Sequence, residues 1–424
     1  MAAAKQIKNE WEEPFHVFGQ GEQKLRLQIL KQVDDYRVDH EEWRKQAEQT
    51  DVFLDKLLNK IDEKAQLYSS EIALEKTILK QASARQGLKI GEPNEYDVIV
   101  PMIIKGLDIQ TASVKDTDGK VMPGLERERV LNKDKVGSTN PYLFRADVFH
   151  TTKDGTVYLN SQNFYKKVWM KMVDKALSDL KTEMPDFEFQ RREHPPAVNI
   201  QVTYPDRNIV NFDIVPGPYT GSEQIKIPAA VTGTKDTTVV FPSYALPKYD
   251  NKNNPKINQE DRELIWRQCT SAYERYMADL CRGSPTRQYV MTANRIMKSV
   301  IKMLQGEQNP LGNLINSYHL KTIAYHIIMD KTILDSNKIG GVKDALGYHI
   351  TYLNMFVSKR VLPDFFHGNK HLGKIFPSSK ILENLRELNL FWKSNPTLLE
   401  TAIHGFKGLV KILEGCFTSS GELK

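Results

Sequence analysis

The apolar residues of this chain change their spacing at one place, and that change constrains the architecture more than any other feature. Before residue 247 they gather in short β-branched runs bounded by turn residues, which alternate with two helical stretches. After residue 260 they recur at intervals of three and four, with glycine or proline between segments. Between the two regions, residues 247–260 hold almost nothing apolar and two prolines, which predicts a surface connection. The pattern divides the chain into residues 1–250, an α+β lobe with a mixed β-sheet at its centre, and residues 251–424, a helical lobe. A chain of 424 residues is long enough for such a two-lobed unit to bury its own core without a metal or disulfide staple.

From about Asp35 to Leu67 the residues Val38, Trp43, Ala47, Leu54, Leu57, Leu58 and Ile61 carry helical periodicity and predict one long amphipathic helix. Lys56, Lys60 and Lys64 are four apart, so they align on a face turned away from the Leu54, Leu57, Leu58 and Ile61 stripe. That row suits a phosphate backbone, and equally a solvated face. Strands are expected at 76–82, 96–104, 198–204 and 208–215, and a further helix at 161–183. In the second half, helices are expected at 261–282, 286–305, 316–330, 340–360 and 378–393.

Three cysteines, Cys269, Cys281 and Cys416, with no CxxC pair, exclude a disulfide framework and a cysteine-based zinc finger, and fit a reducing cytoplasm. The first residues lead into a charged segment and no run of 18 apolar residues follows, so neither secretion nor membrane spanning is expected. The charge is uneven. Residues 1–250 hold 35 basic and 38 acidic residues, whereas residues 251–424 hold 24 and 15. A local positive field of that kind favours a polyanion such as nucleic acid or nucleotide phosphate.

Gly368 to Ile375 nearly spells a P-loop, but Ile375 stands where the Mg²⁺-binding hydroxyl belongs. His367 and His371 are four apart, yet Gly368 and Gly373 argue against a helix, and the pair reads as surface histidines. The stronger constellation is acidic. Glu95 and Asp97 open a strand and point to the same face, about 7 Å apart. Asp213 lies in another apolar strand run, where a lone ionised carboxylate would be costly and a metal or charged partner is expected. Three carboxylates on neighbouring strands form the oxygen-rich site that Mg²⁺ prefers, and the chemistry implied is nucleotidyl transfer.

The string from Ser83 through Gly87-Leu88-Lys89-Ile90 to Pro93-Asn94-Glu95-Tyr96-Asp97 resembles the catalytic segment of the cyclic GMP-AMP synthase family and its invertebrate relatives, the cGAS-like receptors of the Mab-21 superfamily. The resemblance continues in order. Asp213 sits in Asn211-Phe212-Asp213-Ile214-Val215-Pro216, and Trp266-Arg267 leads to Ser271 and Glu274. Arg295-Ile296-Met297-Lys298 follows, then Asn316-Ser317-Tyr318-His319-Leu320-Lys321-Thr322.

The resemblance implies a bilobed nucleotidyltransferase fold that makes a cyclic dinucleotide from ATP and GTP in innate immune sensing. Glu95, Asp97 and Asp213 would bind two Mg²⁺ or Mn²⁺ ions, and Ser83 would contact the donor triphosphate. Lys298 and Ser317 would hold phosphate, Tyr318 would stack on a base and Arg267 would touch the second base, with Ser271 and Glu274 lining the pocket. Two departures stand out. The family's Gly-Ser is Ala82-Ser83 here, which puts a side chain where backbone approaches phosphate. The zinc insertion of the vertebrate DNA sensor is missing between Glu274 and Lys298, so no zinc is expected and double-stranded RNA is the expected activator, ahead of DNA. A catalytically silent Mab-21-like scaffold and a template-independent polymerase remain the alternatives.

Overall fold

A computed structural model of the chain describes residues 40–68, 70–75, 79–80, 95–194, 197–250, 252–335, 339–392 and 394–415. The first helix, α1 (His40–Tyr68), matches the described part of the long amphipathic helix expected from Asp35 to Leu67; residues 35–39, with Val38, lie outside the described residues. The strands that follow are β1 (Ile72–Leu74), β2 (Leu79–Lys80), β3 (Glu95–Ile104), β4 (Ile109–Lys115), β5 (Val121–Val130), β6 (Phe149–Thr151) and β7 (Val157–Leu159). After helix α2 (Met170–Glu183) come β8 (Glu188–His194), β9 (Ala197–Thr203), β10 (Ile209–Ile227), β11 (Thr237–Pro247) and β12 (Trp266–Gln268). The longer helices of the second half are α3 (Ser271–Arg282), α4 (Pro285–Gly306), α5 (Ser317–Ile328) and α6 (Val342–Lys359). The protein is therefore mixed α and β, with one mixed sheet and several helices. Among the described residues, no helix is long and apolar enough to cross a membrane.

Twelve described strands join in one sheet whose main path runs β1-β3-β10-β11-β12-β5-β7-β6. The 19-residue β10 organises it. Its first half lies between β9, antiparallel, and β3, parallel, and its second half runs on as a ribbon with β11. Alternation along β3 turns Tyr96, Val98 and Val100 to one face and Glu95, Asp97 and Ile99 to the other. The first face is covered by α1. Phe53 of that helix sits 5.2 Å from Phe212, which stacks 5.6 Å from Tyr96, and Leu54, Leu57, Leu58 and Ile61 complete the buried stripe.

A second apolar cluster gathers α3 to α6 and the segments after them. It also takes in Ile225, Ile227 and Phe241, so the β10–β11 ribbon reaches into the helical part. There Phe241 stacks on Tyr273 at 4.8 Å, and Glu223 accepts hydrogen bonds from the Tyr273 hydroxyl and from Ser379.

Several expected elements differ from the structure. The helix expected over 261–282 begins only at Ser271, because Trp266–Gln268 is a strand that pairs with both β11 and β5. Burial of the Trp266 indole, whose Nε1–H donates to the Leu159 carbonyl at 3.0 Å, outweighs the helical spacing of the segment. The helix expected over 378–393 shrinks to Lys380–Asn384. Beyond it Asn389 accepts from the Leu362 and Phe391 amides and bridges to Pro363, which draws the chain into an extended path. Of the strand expected over 76–82, Leu79–Lys80 pairs with β3 and the other residues lie outside the described residues. The 247–260 connection is anchored rather than free, since Tyr249 and Ile257 are buried.

Candidate functional site

The register of β3 and β10 decides where the acids stand. Asn211 is opposite Glu95 and Asp213 is opposite Asp97, so Glu95, Asp97 and Asp213 share one sheet face, the one turned away from α1. Neighbouring strands lie about 4.8 Å apart, and alternate residues of one strand about 7 Å apart, which sets the spacing of the three carboxyl-bearing positions. Glu95 and Asp97 are exposed. Asp213 is half-buried, contrary to the expectation of a lone acid in an apolar environment. Its neighbours Phe212 and Ile214 are buried on the other face, and Asn199 Nδ2 donates to Asp213 Oδ1 at 2.8 Å. Among the described residues no three His, Cys, Asp or Glu side chains are already drawn together as a metal cage. The donor set of this patch, all carboxylate oxygen on rigid paired strands, is the kind that a hard divalent cation takes, with water completing the shell.

Next to the acids on the same face lies a small apolar cluster of Ile99, Tyr244, Leu246 and Cys269. Leu246 is in register with Arg267 of β12, and residues opposite each other share a face, so exposed Arg267 stands on the acidic side of the sheet. From there the helical part continues the surface. Ser271 and Glu274 are buried in the first turn of α3. Glu274 accepts from Thr270 at 3.2 Å and pairs with Lys321 of α5 at 2.5 Å. The Lys321 ammonium also stands 5.1 Å from the centre of the Tyr318 ring. Burial first, then the charges of Glu274 and Asp364, push the Tyr318 phenol well above the usual tyrosine range, while Arg267 pulls it the other way. Arg267, Glu274, Lys321 and Tyr318 therefore form one electrostatic group.

Lys298 is half-buried on α4 and Ser317 is exposed at the start of α5, where Asn316 caps the helix by accepting from the Tyr318 and His319 amides. Ser83 and Ala82 lie outside the described residues. Three further participants come from the fold. Lys321 belongs to the motif around Tyr318, but its pairing with Glu274 has no sequence signal, and neither Asp364 nor His367 carries a local one. His367, expected at the surface, is buried against Asp364; His371 is exposed.

The lysine row differs from a free positive face. Lys56 is exposed, but Lys60 pairs with Glu183 of α2 at 2.7 Å and with Glu63 at 3.1 Å, and Lys64 pairs with Asp179 of α2. The hydrogen bonds to Glu183 and then Glu63 hold the Lys60 ammonium above the ordinary lysine range. Lys60 and Lys64 thus stand in the seam where α1 packs on α2. Lys60→Glu with Lys64→Glu will set carboxylates against Glu63, Glu183 and Asp179 and lower the melting temperature. Lys56→Glu will not, which thermal unfolding of the two variants checks.

No protein-family model matches the chain, and no curated protein matches it.

Proposed function

We propose that the chain is a divalent-metal-dependent nucleotidyltransferase of bilobed type that joins ATP and GTP into a cyclic dinucleotide and is stimulated by double-stranded RNA. The observation that carries this reading is the in-register placement of Asp97 beside Asp213, with Glu95 two residues away on the same face and Arg267 across the sheet. Mg²⁺ or Mn²⁺ held by Glu95, Asp97 and Asp213 would supply charge neutralisation at the reacting phosphate. The other residues bind and orient. Tyr318 offers an aromatic face to a base, Arg267 a planar donor fork to the second nucleotide, and Lys298 and Ser317 contacts to phosphate oxygen. Glu274 and Lys321 neutralise each other in the floor of the site, so neither leaves an unpaired buried charge.

Thin-layer chromatography of labelled ATP and GTP, with Mg²⁺ or Mn²⁺ and with or without duplex RNA or DNA, tests the reading. A phosphatase-resistant dinucleotide that increases with duplex RNA is the expected product. Extension of RNA ends would instead identify a polymerase, and no product under any condition a silent scaffold.

Duplex binding should be insensitive to sequence, because A-form RNA presents phosphates and shape rather than readable major-groove edges. It should also weaken with salt, each lost phosphate contact reducing the log–log slope by about 0.7–0.9. If α1 meets the duplex, Lys56→Ala will reduce that slope by about one such step, and Lys60→Ala by less because Glu183 and Glu63 already neutralise it. Equal slopes for Lys56→Ala and the unmodified protein would remove α1 from the interface.

A further inference from the structure

Tyr318 is held by its hydroxyl as well as by its helix. The phenol donates to Asp364 Oδ2 at 2.8 Å, and Asp364 is only 2% exposed. The other carboxylate oxygen, Oδ1, accepts from the Phe366 amide at 2.9 Å, the His367 amide at 3.2 Å and the His367 ring Nδ1 at 2.8 Å. Four donors converge on one buried carboxylate, which fixes it in place and gives its Tyr318 contact a definite direction. With Nδ1–H as the donor, His367 Nε2 is left as an acceptor; this tautomer is assigned from the bonding network.

The Nε2 atom is buried with no partner among the described residues and faces Gly124 of β5. A Cβ at position 124 would lie 3.2 Å from it, and Gly124 adopts a φ of +71°, so glycine satisfies both the close approach and the backbone. The sheet thus closes over the imidazole that holds the carboxylate that holds the tyrosine. The Lys321 ammonium stands 5.1 Å from the centre of the Tyr318 ring, so a stacked base would take the other face.

We propose that Asp364 and His367 are positioning residues for nucleotide binding: through the Tyr318 hydroxyl they set the plane of the ring on which a base stacks. The inference rests on the nucleotide-site reading given above. A ring released from Asp364 can turn about its side-chain bonds, so each binding event must order it again and affinity falls. Only contacts to the base should feel this, because the phosphate contacts come from other residues.

Calorimetric titration with ATP and, separately, with inorganic tripolyphosphate, both with Mg²⁺, separates the two. Asp364→Asn and Tyr318→Phe should each weaken ATP binding about five- to tenfold, the lower end of what one stacked base contributes, and leave tripolyphosphate unchanged. The double variant should bind ATP no more weakly than either single variant, since both interrupt the same hydrogen bond. His367→Asn, which keeps an N–H donor, should bind ATP more tightly than His367→Leu. Additive losses, or parallel losses of tripolyphosphate, overturn the inference. Where Asp364→Asn does not fold, Tyr318→Phe decides alone, because it removes one oxygen and keeps the ring. ATP binding by the unmodified protein that is equal in Tyr318→Phe overturns the positioning role and leaves the nucleotide site standing. No ATP binding by the unmodified protein overturns both.

Discussion

Glu95→Ala combined with Asp97→Ala will reduce dinucleotide synthesis by at least about a thousandfold, the scale on which losing a preorganised electrostatic clamp slows a reaction. Both side chains are exposed at the start of β3, so the substitutions remove no core atoms and the fold is retained. Asp213→Asn should produce a similar loss through the neighbouring strand, with Asn199 still able to bond an amide oxygen at that position. Retained thermal unfolding alongside lost synthesis separates a reaction site from a structural cluster. Near-normal product formation by the double variant would remove the three acids from the chemistry and leave the scaffold reading.

The placement of these acids was legible in the sequence because strand alternation is local. Glu95 and Asp97 fall on one face wherever the strand runs, and only the register with β10 had to come from the fold. The stripe of α1 was legible for the same reason, and Leu54, Leu57, Leu58 and Ile61 are all buried. The fate of Lys60 and Lys64 was not, since their partners Asp179 and Glu183 lie on a helix more than a hundred residues away. The same holds for Asp364 and His367, whose meaning depends on Tyr318 and Gly124 from distant segments. Trp266 lies in a segment, 261–282, whose overall spacing is helical, and only its pairing with β5 and β11 shows that the segment opens with a strand. The β4–β5 hairpin was missed although Asp118-Gly119 marks its turn, with Gly119 at a φ of +78°; its flanking residues are too polar to stand out.

That hairpin carries the second large expectation. Glu126 and Glu128 stand on one face of β5, 5% and 0% exposed, and the Thr111 hydroxyl donates to Glu128 Oε2 at 3.1 Å. The other oxygen of Glu128, Oε1, is buried without a donor among the described residues, a position that a shared proton between the two carboxyls relieves. Burial pushes the Glu128 carboxyl up to about 7, and burial together with the Glu128 charge pushes Glu126 far above the usual carboxylate range. In the unfolded chain both release their protons near pH 4.3. Above that pH the folded chain therefore holds more protons than the unfolded one, up to about pH 7 through Glu128 and beyond it through Glu126, and its stability falls as pH rises.

The histidines slope the other way. Burial lowers His319 and His349 to about 4, so their contribution is present above pH 6.5 and lost as pH falls. The informative quantity is thus the difference between the unmodified protein and Glu128→Gln, measured by urea unfolding from pH 5 to pH 8. The amide keeps an acceptor for Thr111 and adds a donor for Glu126. The variant should gain on the unmodified protein steadily with pH, because the fold resists ionisation of a buried carboxyl at this position that the unfolded chain ionises freely. A constant difference across the range would mean that the Glu128 carboxyl ionises without penalty in the fold. Glu126 lies opposite Trp266 in the pairing of β5 with β12, the strand that presents Arg267, so the buried pair stands beside an interior strand of the sheet and next in register to Arg267.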